Sequence, residues 1–213
     1  RGGEDRTVQR RDKMGLALLQ HGAVVHDGGG QVGQVFFTKE ITPEKVVALY
    51  QAVGLELKGK VAVKVHSGEQ GNQNFLKPDF WKPMIEAVNG TVVECNTAYE
   101  GQRNTTEKHV ALLEKHGWSK YFTVDLLDAE GPDLELPIPN GKRIQKNFLG
   151  KDMVNYDSML VLSHFKGHPM GGFGGALKQL SIGCASSYGK AYIHGAGDPA
   201  KIWTADHDSF LES

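Results

Sequence analysis

Strand-like and helix-like segments take turns along this chain, and that alternation restricts the fold more than any other feature. Residues 61–66, 91–95 and 158–163 are short runs rich in β-branched and apolar side chains, the composition of buried strands. Between the first two lies a segment, 78–88, that carries Phe80, Trp81, Met84, Ile85 and Val88 on one side of a helix. After the second comes another, 105–116, with Val110, Leu112 and Leu113 apolar, Asn104 or Thr105 as its cap and Gly117 as its stop. Upstream, Thr42 is a cap, Pro43 stands at the first helical position and Glu44 in the first turn. Val46, Val47, Leu49 and Tyr50 follow at helical spacing, and Gly54 closes the helix. Shorter strands are expected at 35–37 and 122–124. Residues 128–150 are Pro- and Gly-rich with polar alternation and read as a β-excursion or hairpin. Strands separated by helices of this length imply βαβ units, right-handed crossovers and a mostly parallel sheet. The expected fold class is α/β, a single domain of three-layer type with a mostly parallel central sheet.

The 213 residues, 39% hydrophobic and 23% charged, suit one large globular domain that needs no disulfide or metal to fold. Residues 32–194 are assigned to it. Residues 1–31 are densely charged, carry a short apolar piece at 14–19 and break at His26-Asp27-Gly28, so they read as an extension or arm. Residues 195–213 read as a C-terminal extension. Arg10-Arg11 ahead of the apolar piece resembles a twin-arginine export leader, but Gln20 and His21 interrupt the piece, and a cytoplasmic protein is the preferred reading. A formal net charge of −1, with no basic block and no interleaving of aromatic and basic residues, argues against a nucleic-acid binder. No apolar stretch has the roughly 18–20 residues of a membrane span. Two cysteines, Cys95 and Cys184, make no disulfide framework and are expected as reduced thiols.

Ligands of open α/β sheets bind beyond the carboxyl ends of the strands. Three of the expected strands run into unusual polar clusters there: Lys64-Val65-His66-Ser67-Gly68-Glu69, Glu94-Cys95-Asn96-Thr97, and Ser163-His164-Phe165-Lys166-Gly167-His168. If the strands are parallel neighbours, the clusters share one rim and form one composite site. His164 and His168 are four apart and, on a helix, would share a face and hold a divalent transition metal. His66, Glu69, Cys95, Cys184 and His194 are available as further ligands. The plain alternative is that each histidine is a loop residue making ordinary hydrogen bonds, and that Cys184 is a small buried thiol. Lys64, Lys166, Lys178 and Arg103 can converge on an anion. Gly174-Gly175 runs into a short helical segment whose N–H groups would face the same place. The run is neither a Walker loop nor a dinucleotide fingerprint. Lys166, between two histidines and two glycines, is read as functional, and Lys190 as part of a solvated face. His164 and Lys166 are the candidate catalytic groups. Glu69 and Glu94 are candidate acid/base groups or ligands.

These blocks resemble the prokaryotic family of uncharacterised Fe–S centre proteins that carry domain of unknown function 362. The carriers are Lys64 through Asn72, Asn96 through Thr105, His116-Gly117, and above all Leu162 through His168 with Gly172 through Lys178 and Gly183-Cys184-Ala185-Ser186. The match spans roughly residues 34–194, and its first block adds Asn72 to the ligand-binding candidates. The resemblance implies a redox role and a ferredoxin-like module with [4Fe–4S] clusters. This sequence, with two cysteines, does not contain the ligands of such a module. The leading expectation is a redox-associated metal or Fe–S family protein whose α/β domain binds a small anionic ligand or substrate beside that module or another electron carrier. The alternatives are a metal-assisted isomerase or hydrolase, and a non-catalytic scaffold that docks an electron carrier.

Overall fold

The computed structural model describes residues 24–26, 32–131, 133–168 and 172–205. The rest of the expected N-terminal arm, and residues 206–213 of the expected C-terminal extension, lie outside the described residues. The chain divides between Glu56 and Leu57 into two units.

In the first unit, β1 (Val24–His26) and β2 (Val32–Gln34) form an antiparallel hairpin. The strand expected at 35–37 is displaced, because the ladder ends at the Val24–Gln34 pair. Helix α1 (Pro43–Val53) forms where expected. The Thr42 side chain accepts the Lys45 N–H, and Gly54 takes the left-handed conformation (φ 71°) that a side chain would resist.

The second unit begins with β3 (Val61–Lys64), α2 (Pro78–Ala87), β4 (Thr91–Glu94), α3 (Thr106–Lys115) and β5 (Val124–Leu126). Thr105 is the α3 cap, accepting from Lys108 N–H. β5 starts two residues later than expected, since the N–H groups of Tyr121 and Phe122 are both used to close a turn onto the Trp118 carbonyl. The expected β-excursion is an antiparallel hairpin of β6 (Leu134–Pro137) and β7 (Lys146–Leu149). β8 (Ser158–Val161) then returns to the main sheet.

That sheet has the order β5-β4-β3-β8, and every neighbouring pair is parallel. β3 is buried at all four positions, as a central strand covered on both faces must be. Ala62, Val93, Cys95 and Leu127 pack as one buried cluster, with Met153, Tyr156 and Met159 against it. From β3 the chain builds outward through β4 to β5, then comes back to β3's other side as β8. The order of strands therefore reverses at β3, and a crevice at the carboxyl ends of β3 and β8 is where a ligand is expected.

The glycine-rich stretch after β8 is more regular than its composition suggests. β9 (Lys166–His168) pairs antiparallel with β10 (Gly172–Gly174), and α4 (Ala176–Leu180) follows directly. Gln179 of α4 ties this stretch to the sheet. Its amide donates to the Lys64 carbonyl (3.2 Å) and accepts from the Ser163 hydroxyl (2.7 Å). Helix α5 (Ser187–His194) closes the domain, capped by Ser186, whose hydroxyl accepts the Gly189 N–H.

Candidate functional site

Lys64 is the last residue of β3 and Glu94 the last of β4. The parallel register sets Lys64 opposite Val93, so Glu94 lies one residue further along the neighbouring strand, where the two side chains meet beneath the crevice. Lys64 Nζ lies 2.6 Å from Glu94 Oε2, with both side chains at most 2% exposed. Lys64 Nζ also donates to the Val65 carbonyl (2.7 Å). Glu94 Oε1 accepts the Ser67 N–H (2.9 Å) and faces Arg103 Nη2 (3.6 Å). Arg103 comes from the loop before α3, where its carbonyl accepts the Thr97 N–H. Its Nη1 donates to Glu69 Oε1 (3.0 Å) and to His66 Nδ1 (3.2 Å), and the Tyr99 hydroxyl reaches the same Glu69 oxygen (3.2 Å).

Burial alone would raise the Glu94 carboxyl, but Lys64 and Arg103 outweigh it and hold the group well below the usual carboxylate range. His66 moves the other way from an ordinary histidine. Burial, then the adjacent Arg103 charge, push it down to about 3, so its imidazole is neutral near pH 7. Two nitrogens in this network, His66 Nε2 and Arg103 Nε, are buried and make no hydrogen bond.

Above this floor lies a cavity of about 230 Å³. Lys64, His66, Glu69, Glu94 and Arg103 line it from the sheet side. His164, Lys166, His168, Gly174, Gly175 and Lys178 line it from the β9–β10–α4 stretch, and Lys190 and His194 from α5. Five cationic side chains thus meet two carboxylates. Burial and then the charges of Lys166, Lys190, Lys64 and Arg103 push Lys178 down to about 8.

Twelve of the candidate residues named from sequence share this one cavity: Lys64, His66, Glu69, Glu94, Arg103, His164, Lys166, His168, Gly174, Gly175, Lys178 and His194. Asn72 and Cys184 are not among the residues that line it. The Asn72 side chain accepts the Asn74 N–H within its own turn. Cys184 is buried, with Sγ 3.5 Å from the Gln179 carbonyl. His164 and His168 both reach the cavity, but not as a helical pair, because residues 166–168 are extended. Lys190 is a correction. It is 7% exposed rather than part of a solvated face, and its Nζ donates to the Ala185 carbonyl. Glu94 stood out only as one carboxylate among several, and its pairing with Lys64 depends on a strand register that spacing does not encode. Tyr99 and Gln179 were not singled out at all.

The cluster implied by the resemblance and the divalent metal expected from the histidine spacing are both poorly served by these residues. A [4Fe–4S] cluster is held by cysteine thiolates. Cys95 and Cys184 are instead buried neighbours, with the Cys95 thiol donating to the Cys184 carbonyl (3.4 Å). Burial raises both thiols, Cys95 to about 12. Native protein at pH 8 is therefore expected to be unreactive toward Ellman's reagent, both thiols appearing only on denaturation. For a divalent metal, His66 Nδ1 already faces a guanidinium, and no group of three or more His, Cys, Asp or Glu among the described residues is placed to hold an ion.

The family described as Domain of unknown function (DUF362) matches residues 61–212. The chain belongs to this family. No curated protein and no solved structure matches it. The DUF362 region takes in the whole parallel sheet and every residue that lines the cavity, while β1, β2 and α1 precede it.

Proposed function

We propose that the DUF362 domain of this chain binds a small anion in the cavity at the carboxyl ends of β3 and β8. The observation that carries this reading is the imbalance of charge: five cations line the cavity against two carboxylates, both already engaged by Arg103. Crowded like charges in a partly dehydrated space are unfavourable, and an anion relieves them. The volume favours a small ligand, since about 230 Å³ falls below the roughly 300–1,000 Å³ of pockets that take drug-sized molecules. Redox chemistry, in this reading, falls to a ferredoxin-like module or another electron carrier, and the anion site is the contribution of this domain.

Calorimetric titration with oxalate and with inorganic phosphate tests the proposal, with chloride at matched ionic strength as control. Saturable binding that weakens at least tenfold in Lys178→Met is expected. No saturable binding of either anion would overturn it.

The pH dependence has a definite sign. Lys178 titrates near 8 in the fold and near 10.4 in an unfolded chain. Between those values the unfolded state holds more protons, so this group makes stability rise with pH across that window. Below 8 the repulsion acts in full. Oxalate stays doubly charged throughout. At a hundred times its dissociation constant it should add about 2.7 kcal/mol at pH 7, a rise in Tm of roughly 5–11 °C. That rise should shrink above pH 8 as Lys178 loses its proton. A Tm increment equal at pH 7 and pH 9.5 would remove Lys178 from the site.

A further inference from the structure

A guanidinium has N–H donors and no acceptor, so Arg103 Nη1 at 3.2 Å from His66 Nδ1 requires that nitrogen to be the unprotonated one. The single proton of the neutral ring then sits on Nε2. That nitrogen is buried, makes no hydrogen bond, and belongs to a residue that lines the cavity. Leaving a buried N–H without an acceptor costs about 1–3 kcal/mol, and native folds seldom keep one without a reason. Arg103 is itself held in place by Glu69 and Glu94, so the ring cannot readily exchange its proton between the two nitrogens.

We infer that His66 is a fixed hydrogen-bond donor to the ligand, that Arg103 is the positioning residue that sets its tautomer, and that the ligand presents an oxyanion oxygen to Nε2. This rests on the anion-binding reading above and narrows it. The class is a carboxylate or phosphoryl group with an exposed acceptor. In this tautomer His66 has no lone pair to offer a metal ion and cannot accept a proton from a substrate at Nε2.

The test uses the full chain labelled with 15N at histidine and long-range 1H–15N spectra, His66 being assigned by its loss in His66→Gln. A neutral ring protonated at Nε2 is expected at pH 7. Saturating oxalate or inorganic phosphate should move that N–H proton downfield, and whichever does so at the lower concentration identifies the carboxylate or the phosphoryl source. His66→Phe, which keeps a ring but no donor, should weaken binding at least tenfold, with His66→Gln falling in between. An Nδ1-protonated or doubly protonated ring at pH 7 would overturn the inference. So would anion binding that leaves the Nε2 proton unmoved and His66→Phe unimpaired, although the anion site itself would survive that result. Failure of both anions to bind the native chain removes the site and the inference together.

Discussion

Glu94→Ala is expected to be the most damaging single substitution at the site, lowering stability by about 3–5 kcal/mol. Breaking a buried ion pair by removing one partner costs far more than the pair contributes, because the remaining charge is stranded in a low dielectric. Here two cations lose their counter-ion, Lys64 and Arg103, and the Ser67 and Cys95 N–H groups lose an acceptor. For a chain of this length such a loss corresponds to a drop in Tm of roughly 6–20 °C, readable by calorimetry. Glu94→Gln keeps the shape and one acceptor oxygen but also strands the cations, so it should fall on the same side. Adding Lys64→Met to Glu94→Gln should cost less than the sum of the single losses, because both changes remove one interaction. The acid limb carries a further sign. The folded Glu94 carboxyl lies below its unfolded value, so its stabilisation is complete above about pH 4.5 and fades as pH falls toward the folded value. Glu94→Gln should lack that part of the acid slope. A Glu94→Ala protein as stable as the parent would mean that the network is not formed.

Gly189→Ala is expected to cost a few kcal/mol and to lower anion affinity with it, even though alanine is the better helix former by about 1 kcal/mol. The helix term loses to a collision. A β-carbon at this position would lie 2.0 Å from the Phe148 carbonyl oxygen, a backbone atom that cannot swing aside. The same carbonyl accepts the N–H of Ser186, the α5 cap, so displacing the helix also breaks its N-terminal attachment. Tyr188 and Tyr192 pack edge-on to the Phe148 ring at 5.0 and 5.1 Å, and that contact would open as well. Overpacking of this kind costs typically 1–3 kcal/mol, and more when the backbone must move. Because α5 brings Lys190 and His194 to the cavity, any shift of the helix reaches the site. Melting and oxalate titration on the same sample check both effects. An alanine variant with raised Tm would show that helix propensity wins.

The sheet was legible because its strands are apolar, β-branched runs, the central one buried at every position. Residues 61–63 are apolar throughout, and a central strand accounts for such a run between two helical segments, with Lys64 as the first polar residue at its carboxyl end. Turn chemistry made α1 and α3 equally plain, with Thr42 and Thr105 as caps. The short elements were harder. β9 and β10 hide in glycine, where side-chain alternation has nothing to register, and α5 is disguised by the same Gly189 that lets it approach β7. The location of the site followed from the rule for parallel sheets. Its electrostatics did not, since the union of Lys64 with Glu94, and the burial of Lys190, arise from strand register and helix docking. Asn72 and Cys184 show the converse: both sit in blocks that supply residues to the cavity wall, yet neither lines it.

The charges in the cavity floor were stripped of their hydration shells when the polypeptide folded, not when a guest arrives. Ionic groups that already stand dry and fixed need no rearrangement as an incoming molecule sheds its own solvent. Selectivity at such a floor is set by how well a visitor's shape and charge match a rigid pattern, and a poor match finds little give.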